Sequence, residues 1–167
     1  MRMLGSRVLA IIATVGLTLA AHAAVAATTA VNVQLADKVT DGPMATGIMY
    51  GTSNIDRTKA TSLMEPSKTS APTGAVTFNV TNSSKDMVHE MIVVAIPASA
   101  VGQPVPYDAV QHEVDETKIK SMGEVSELDP GKSGKLTVTL QPGTYLLICN
   151  QPGHYEAGMW AVFTVTK

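Results

Sequence analysis

The chain has 167 residues with 12 basic and 14 acidic side chains, a formal charge of −2, and a single cysteine. That balance gives no electrostatic reason to bind a nucleic acid, whose phosphates call for a basic surface. One thiol also excludes an internal disulfide framework.

Residues 1–7 carry Arg2 and Arg7, and residues 8–21 form an apolar run without charge. Small residues follow at Ala21-His22-Ala23 and Ala24-Val25-Ala26. The order basic, apolar, small predicts a secretory signal peptide over 1–26. The alternative is a retained anchor, but the run is short against the ~20 residues a spanning helix needs. Cleavage near Ala26 leaves residues 27–167, about the size of one ordinary domain. Losing both arginines with the leader moves the balance from 12 basic and 14 acidic to 10 and 14, net −4. Export implies a periplasmic location. There a lone thiol is buried and inert, pairs between chains, or ligates a metal.

Strand patterning dominates the remainder. Residues 31–35 (Val-Asn-Val-Gln-Leu) alternate apolar and polar, one face buried and one wet. Residues 40–72, rich in Gly, Ser, Thr and Met, read as loop with a short strand at 47–50. Alternation returns at 75–80, and the turn residues of 82–86 lead into 91–96 (Met-Ile-Val-Val-Ala-Ile). That continuous apolar run suits a strand buried on both faces. Residues 107–120 are polar, with 107–110 placed to begin a short helix outside the sheets. Asp129-Pro130-Gly131 precedes another alternating strand at 136–140, and Gln141-Pro142-Gly143 makes a tight corner before 145–148. Residues 160–165 complete the set. Short strands at this spacing predict an all-β, antiparallel sandwich or barrel.

The segment from Cys149 to Met159 carries the chemistry. Cys149, His154 and Met159 stand five residues apart around Pro152-Gly153 and Gly158, at the end of a strand. A compact loop brings three such side chains to one point, and thiolate, imidazole and thioether together suit copper in both oxidation states. A trigonal site with a weak axial thioether needs a second imidazole. His89, where a polar turn enters the buried strand 91–96, is the best supplier. Met159 alternatively packs the core beside Trp160, and His112 reads as a solvated loop residue.

Over residues 74–167 the sequence resembles the cupredoxins, the blue copper proteins. The residues that carry the resemblance are Gly143-Thr144-Tyr145, Cys149, Pro152-Gly153-His154, Gly158-Met159 and Phe163-Thr164-Val165, with His89 after the turn at Asn82. Its Cys-x4-His-x4-Met spacing is similar to that of auracyanin and rusticyanin. The resemblance implies a Greek-key β-sandwich in which His89, Cys149 and His154 are equatorial copper ligands and Met159 is axial. Many cupredoxins have Asn after the first histidine, where this chain has Glu90. A carboxylate there either accepts hydrogen bonds across the two ligand loops or approaches the metal.

Four protein ligands leave no position open for substrate, unlike a catalytic metal site. The expected role is therefore a monomeric one-electron carrier rather than an enzyme, serving a redox partner such as a cytochrome or oxidase, with the His154 edge as the electron port. The alternative is a copper-tolerance or delivery protein that uses the same site and passes copper to a copper-handling partner. A Cys149/His154 nucleophile pair lacks a visible oxyanion hole and orienting residue. A binuclear copper centre would need a second cysteine, and a purely structural exported domain would need no ligand set.

Overall fold

The computed structural model describes residues 28–38 and 42–167; the leader expected over 1–26 lies outside them. Eleven strands follow in order: β1 (Thr29–Asp37), β2 (Ser62–Pro66), β3 (Ser70–Pro72), β4 (Gly74–Asn82), β5 (His89–Ile96), β6 (Tyr107–Asp108), β7 (Glu113–Val114), β8 (Lys120–Leu128), β9 (Ser133–Leu140), β10 (Gly143–Ile148) and β11 (Trp160–Thr166). One sheet has the order β2-β1-β4-β9 and a second the order β3-β11-β10-β5-β8, with β6-β7 a separate ribbon. This is the all-β sandwich that the alternation predicts.

Not every pairing is antiparallel. β1 runs parallel to β4, and β3 parallel to β11. A parallel pair needs a long return connection, and the excursion between Asp37 and Gly74 supplies one. The short strand expected at 47–50 is a turn instead, from which Ile48 and Tyr50 bury their side chains. No helix begins at 107. Tyr107–Asp108 and Glu113–Val114 pair as a ribbon, and a single 3-10 turn covers Glu116–Lys118. Asp108 explains this locally, because its carboxylate caps the amides of Val110 and Gln111 at 2.8 and 3.1 Å. That closes a turn where a helix would have to propagate.

The inward faces of the two sheets form one core. Val31, Val33 and Leu35 of β1 and Val76, Phe78 and Val80 of β4 meet Met91, Val93, Leu147, Phe163 and Val165. Phe78 and Phe163 pack edge to face at 5.3 Å, a favourable aromatic geometry. The outer face of the second sheet is also covered. Ile92, Val94, Leu146, Ile148 and Trp160 pack beneath Tyr50, Val114 and Tyr155. Burial on both faces is why β5 and β10 are apolar without alternation. Cys149 and Met159 belong to the inter-sheet core, at the end where β10 and β11 part. Among the described residues no helix is long and apolar enough to cross a membrane.

Candidate metal centre

Two elements deliver the candidate ligands. β10 and β11 pair as far as Ile148 opposite Trp160, so Cys149 and Met159 are the first and last residues of the connecting loop. The Cys149 amide donates to the Met159 carbonyl at 3.1 Å and the Met159 amide to the His154 carbonyl at 3.0 Å. Within the loop, His154 N–H reaches Gln151 O and Ala157 N–H reaches Gly153 O, at 2.9 and 3.0 Å. The loop thus coils back on itself, and three side chains five residues apart converge. Gly158 ends the coil at φ +98, a left-handed conformation that glycine takes without strain.

His89 comes from the start of β5. Its pairing with Leu128 is followed by a register shift before Met91 meets Val125, a bulge that re-aims the side chain at the strand end. Asn82, fully buried, steadies the preceding turn. Its amide donates to the carbonyls of Met87 and Leu128 at 2.8 and 2.7 Å. Its oxygen accepts from the Ser84 amide and hydroxyl.

The outcome is a cluster of His89, Cys149 and His154 whose ligand atoms lie within 4.8 Å of one another. The two Nδ1 atoms are 3.1 Å apart, and Cys149 Sγ stands 3.9 Å from His89 Nδ1 and 3.4 Å from His154 Nδ1. Residue exposure is 0 % at His89, Cys149 and Met159 and 4 % at His154. His154 is therefore the more accessible histidine, as the expected electron port requires, but by a small margin.

Electrostatics in this pocket favour neutral groups. Burial pushes the Cys149 thiol up to about 12, against the N–H groups of Glu90 and Gln151 that favour the thiolate. Burial, with His89 beside it, lowers His154 to about 4. His89 is lowered by burial too, opposed by the Asp37 carboxylate. Asp37 Oδ1 lies 3.2 Å from His89 Nε2, yet off the ring N–H direction, so Nε2 has no formed hydrogen bond. An apolar core gains nothing from three polar groups left so poorly paired. A cation that takes imidazole and thiolate ligands satisfies all of them, and the residues present fit copper.

Glu90 resolves between its two readings. Its Oε1 accepts from the Asn150 amide at 3.1 Å while its own amide donates to Cys149 Sγ at 3.5 Å. The carboxylate thus bridges the two ligand loops and stands outside the ligand cluster. Burial raises Glu90 to about 7, the Asn150 N–H opposes this, and the neighbouring Glu116, Glu124 and Glu127 add to it.

The chain matches the family model for copper binding proteins of the plastocyanin/azurin family over residues 52–166. It belongs to that family. Auracyanin-B of Chloroflexus aurantiacus is 58% identical over 40 residues, which is 23% of this chain and 17% of that relative's length. The structure of rusticyanin from Thiobacillus ferrooxidans is similar at 20% identity and TM-score 0.50, covering 83% of this chain and 78% of that one. Reduced auracyanin from Roseiflexus castenholzii gives 23% identity and TM-score 0.48 over 85% of this chain and 99% of that one. The resemblance read from the loop spacing is borne out, and copper is the cofactor of this cupredoxin.

Sequence reading missed several residues around the site. Asp37 ends β1, 52 positions before His89, and no local pattern links them. Asn150, buried beside Cys149, holds the Val114 amide and carbonyl at 2.7 and 3.0 Å and donates to Glu116. This anchors the 107–120 segment to the ligand loop. His112 is exposed as expected, but its Nδ1 contacts Glu156 at 2.8 Å, and its carbonyl receives the Gly153 amide. The stretch 40–72, expected to be loop with one short strand at 47–50, instead holds β2 and β3, and the residues before β2 lie against the ligand loop. Ile48 N–H bonds Glu156 O, Thr61 N–H bonds Ala157 O, and Trp160 Nε1 bonds Ile48 O at 2.6 Å.

Proposed function

We propose that this cupredoxin is an exported, periplasmic one-electron carrier. In this reading His89 Nδ1, Cys149 Sγ, His154 Nδ1 and the Met159 thioether would hold the copper. The observation that carries the proposal is the burial of all four residues together with the convergence of three ligand atoms within 4.8 Å. Bound copper supplies the one-electron redox chemistry. The protein's part is to keep two imidazoles and a thiolate in place whatever the charge on the metal, which limits reorganisation. β10, β11 and the bulged start of β5 are the rigid supports. The Glu90 amide on Cys149 Sγ withdraws charge from the sulfur, a recognised influence on potential. Asp37 places a carboxylate 3.2 Å from the outer edge of His89, and His154 offers electrons the shortest way to the surface.

Tolerance or delivery, the alternative use of the same site, calls for copper that exchanges readily. Complete burial of Cys149 and His89 argues against that. The proposed partner is a cytochrome or an oxidase. The test is stopped-flow mixing of the reduced, copper-loaded protein with an oxidised c-type cytochrome. Second-order electron transfer that vanishes in Cys149→Ser supports the carrier. A redox-inert protein that instead surrenders copper to an acceptor within seconds would replace it with the delivery role.

A further inference from the structure

We propose that Arg57 is a positioning residue for the axial thioether, clamping the backbone on both sides of Met159. The inference rests on the four-ligand copper reading and extends it to a residue outside the ligand loops. Arg57 opens the 3-10 turn Arg57–Lys59, held by the Asp56 carboxylate, which accepts from the Thr58 amide and hydroxyl at 3.1 and 2.6 Å. From there the guanidinium lies over the Trp160 ring, 3.8 Å from its centroid. Its Nη2 donates to the carbonyls of Gly158 at 3.2 Å and Trp160 at 2.8 Å. These two carbonyls flank Met159 in the chain.

The rest of the Met159 backbone is engaged as well. Its amide is held by His154 O and its carbonyl by Cys149 N. Ala60, three residues after Arg57, closes the position from behind, since a Cβ on Gly158 would come within 2.6 Å of Ala60 Cβ. Every peptide group from Gly158 to Trp160 thus has a fixed partner, and Arg57 provides two of those contacts across a sequence separation of 101 and 103 residues.

This matters because an axial thioether binds weakly and at long range. Its distance from the metal follows the backbone more than the bond, so whatever fixes residues 158–160 also fixes the strength of the axial interaction. Axial strength in turn tunes the potential of such sites. Arginine suits the position because its planar group donates to carbonyls while stacking on an aromatic face, which lysine does less well.

The experiment compares full-length Arg57→Ala and Arg57→Lys with the parent, with and without copper. In the apo protein, exchange of the Met159 amide is expected to quicken at least about tenfold in Arg57→Ala, as a local opening becomes easier. Fluorescence of Trp160, the one tryptophan of the chain, is expected to shift in the same variant. With copper bound, Arg57→Ala changes the rhombicity of the EPR signal and moves the reduction potential, and Arg57→Lys recovers part of both. A lower melting temperature with unchanged Met159 exchange, EPR shape and potential overturns the clamp and leaves Arg57 a stabilising residue only. A parent that binds no copper overturns the axial role through the copper reading itself, while the apo exchange data still decide whether Arg57 holds the backbone.

Discussion

Asn82→Ala offers a quantitative test of how the first histidine is held. The side chain is fully buried and makes four hydrogen bonds, two donated to the Met87 and Leu128 carbonyls and two accepted from Ser84. Met87 O lies 2.7 Å from the Ser84 hydroxyl, whose single proton it shares with Asn82 Oδ1 and takes over in the variant, and the half-buried Ser84 reaches water. The main loss is therefore at the Leu128 carbonyl, opposite His89 in the β5–β8 pair. An unsatisfied buried carbonyl costs about 1–3 kcal/mol, and each lost net hydrogen bond about 1 kcal/mol. Together these give on the order of 2–4 kcal/mol. For a domain of this size that lowers Tm by about 8–16 °C. Because the lost contacts anchor the turn that delivers His89, copper release to a chelator should also accelerate. Asn82→Asp is the control. It keeps the two acceptor contacts but turns a carboxylate toward two carbonyls, so it should be at least as destabilising near neutral pH. Urea titration and thermal melting of the apo proteins, with chelator-chase kinetics of the copper-loaded ones, read the effect. A Tm loss under about 2 °C in Asn82→Ala would refute the reasoning, as would a large loss with unaltered copper release.

Glu90→Gln is expected to leave the copper spectrum nearly unchanged, since an amide oxygen can still accept from Asn150; a new spectral class in this variant would mean that the carboxylate ligates after all. Apo stability should fall on acidification. His154, held near 4 by burial, binds its proton in the unfolded chain first, at an ordinary value near ~6.5. The unfolded state therefore carries more protons between those values, and stability declines as pH drops through that window. Glu90, raised to about 7, acts with the opposite sign over the same range, so urea midpoints are best taken from apo Glu90→Gln between pH 7 and 4.5. Flat midpoints there would contradict the buried neutral imidazole.

How much of this was legible in the sequence divides along physical lines. β1, β4 and β9 alternate because one of their faces is wet, and β5 and β10 are continuously apolar because both faces are covered. Period and burial together made them readable. β8 was missed because KSMGEVSEL is an edge strand in which only Val125 and Leu128 are buried. It carries no periodic signal, and its partner is defined by pairing alone. The ligand loop was readable because Cys149, His154 and Met159 are spaced within one turn-rich segment. Asn82 lies in the turn read just before His89, whereas Asp37 meets His89 and Arg57 meets the end of the ligand loop across the fold, where only three-dimensional proximity joins them. Residues 107–120 misled because Asp108 and Asp115 are equally good turn formers and helix caps. Here each closes a local turn.

The central claim, a single buried copper held by Cys149 with two histidines, is most directly tested by titrating the purified protein with Cu(II) alongside Cys149→Ser. Both are followed by visible absorption and EPR. The account predicts one copper per chain, an intense thiolate-to-copper charge-transfer band and a narrow hyperfine splitting, all lost in the serine variant. A wild-type protein that takes up no stoichiometric copper, or one whose copper spectrum survives Cys149→Ser, would contradict it.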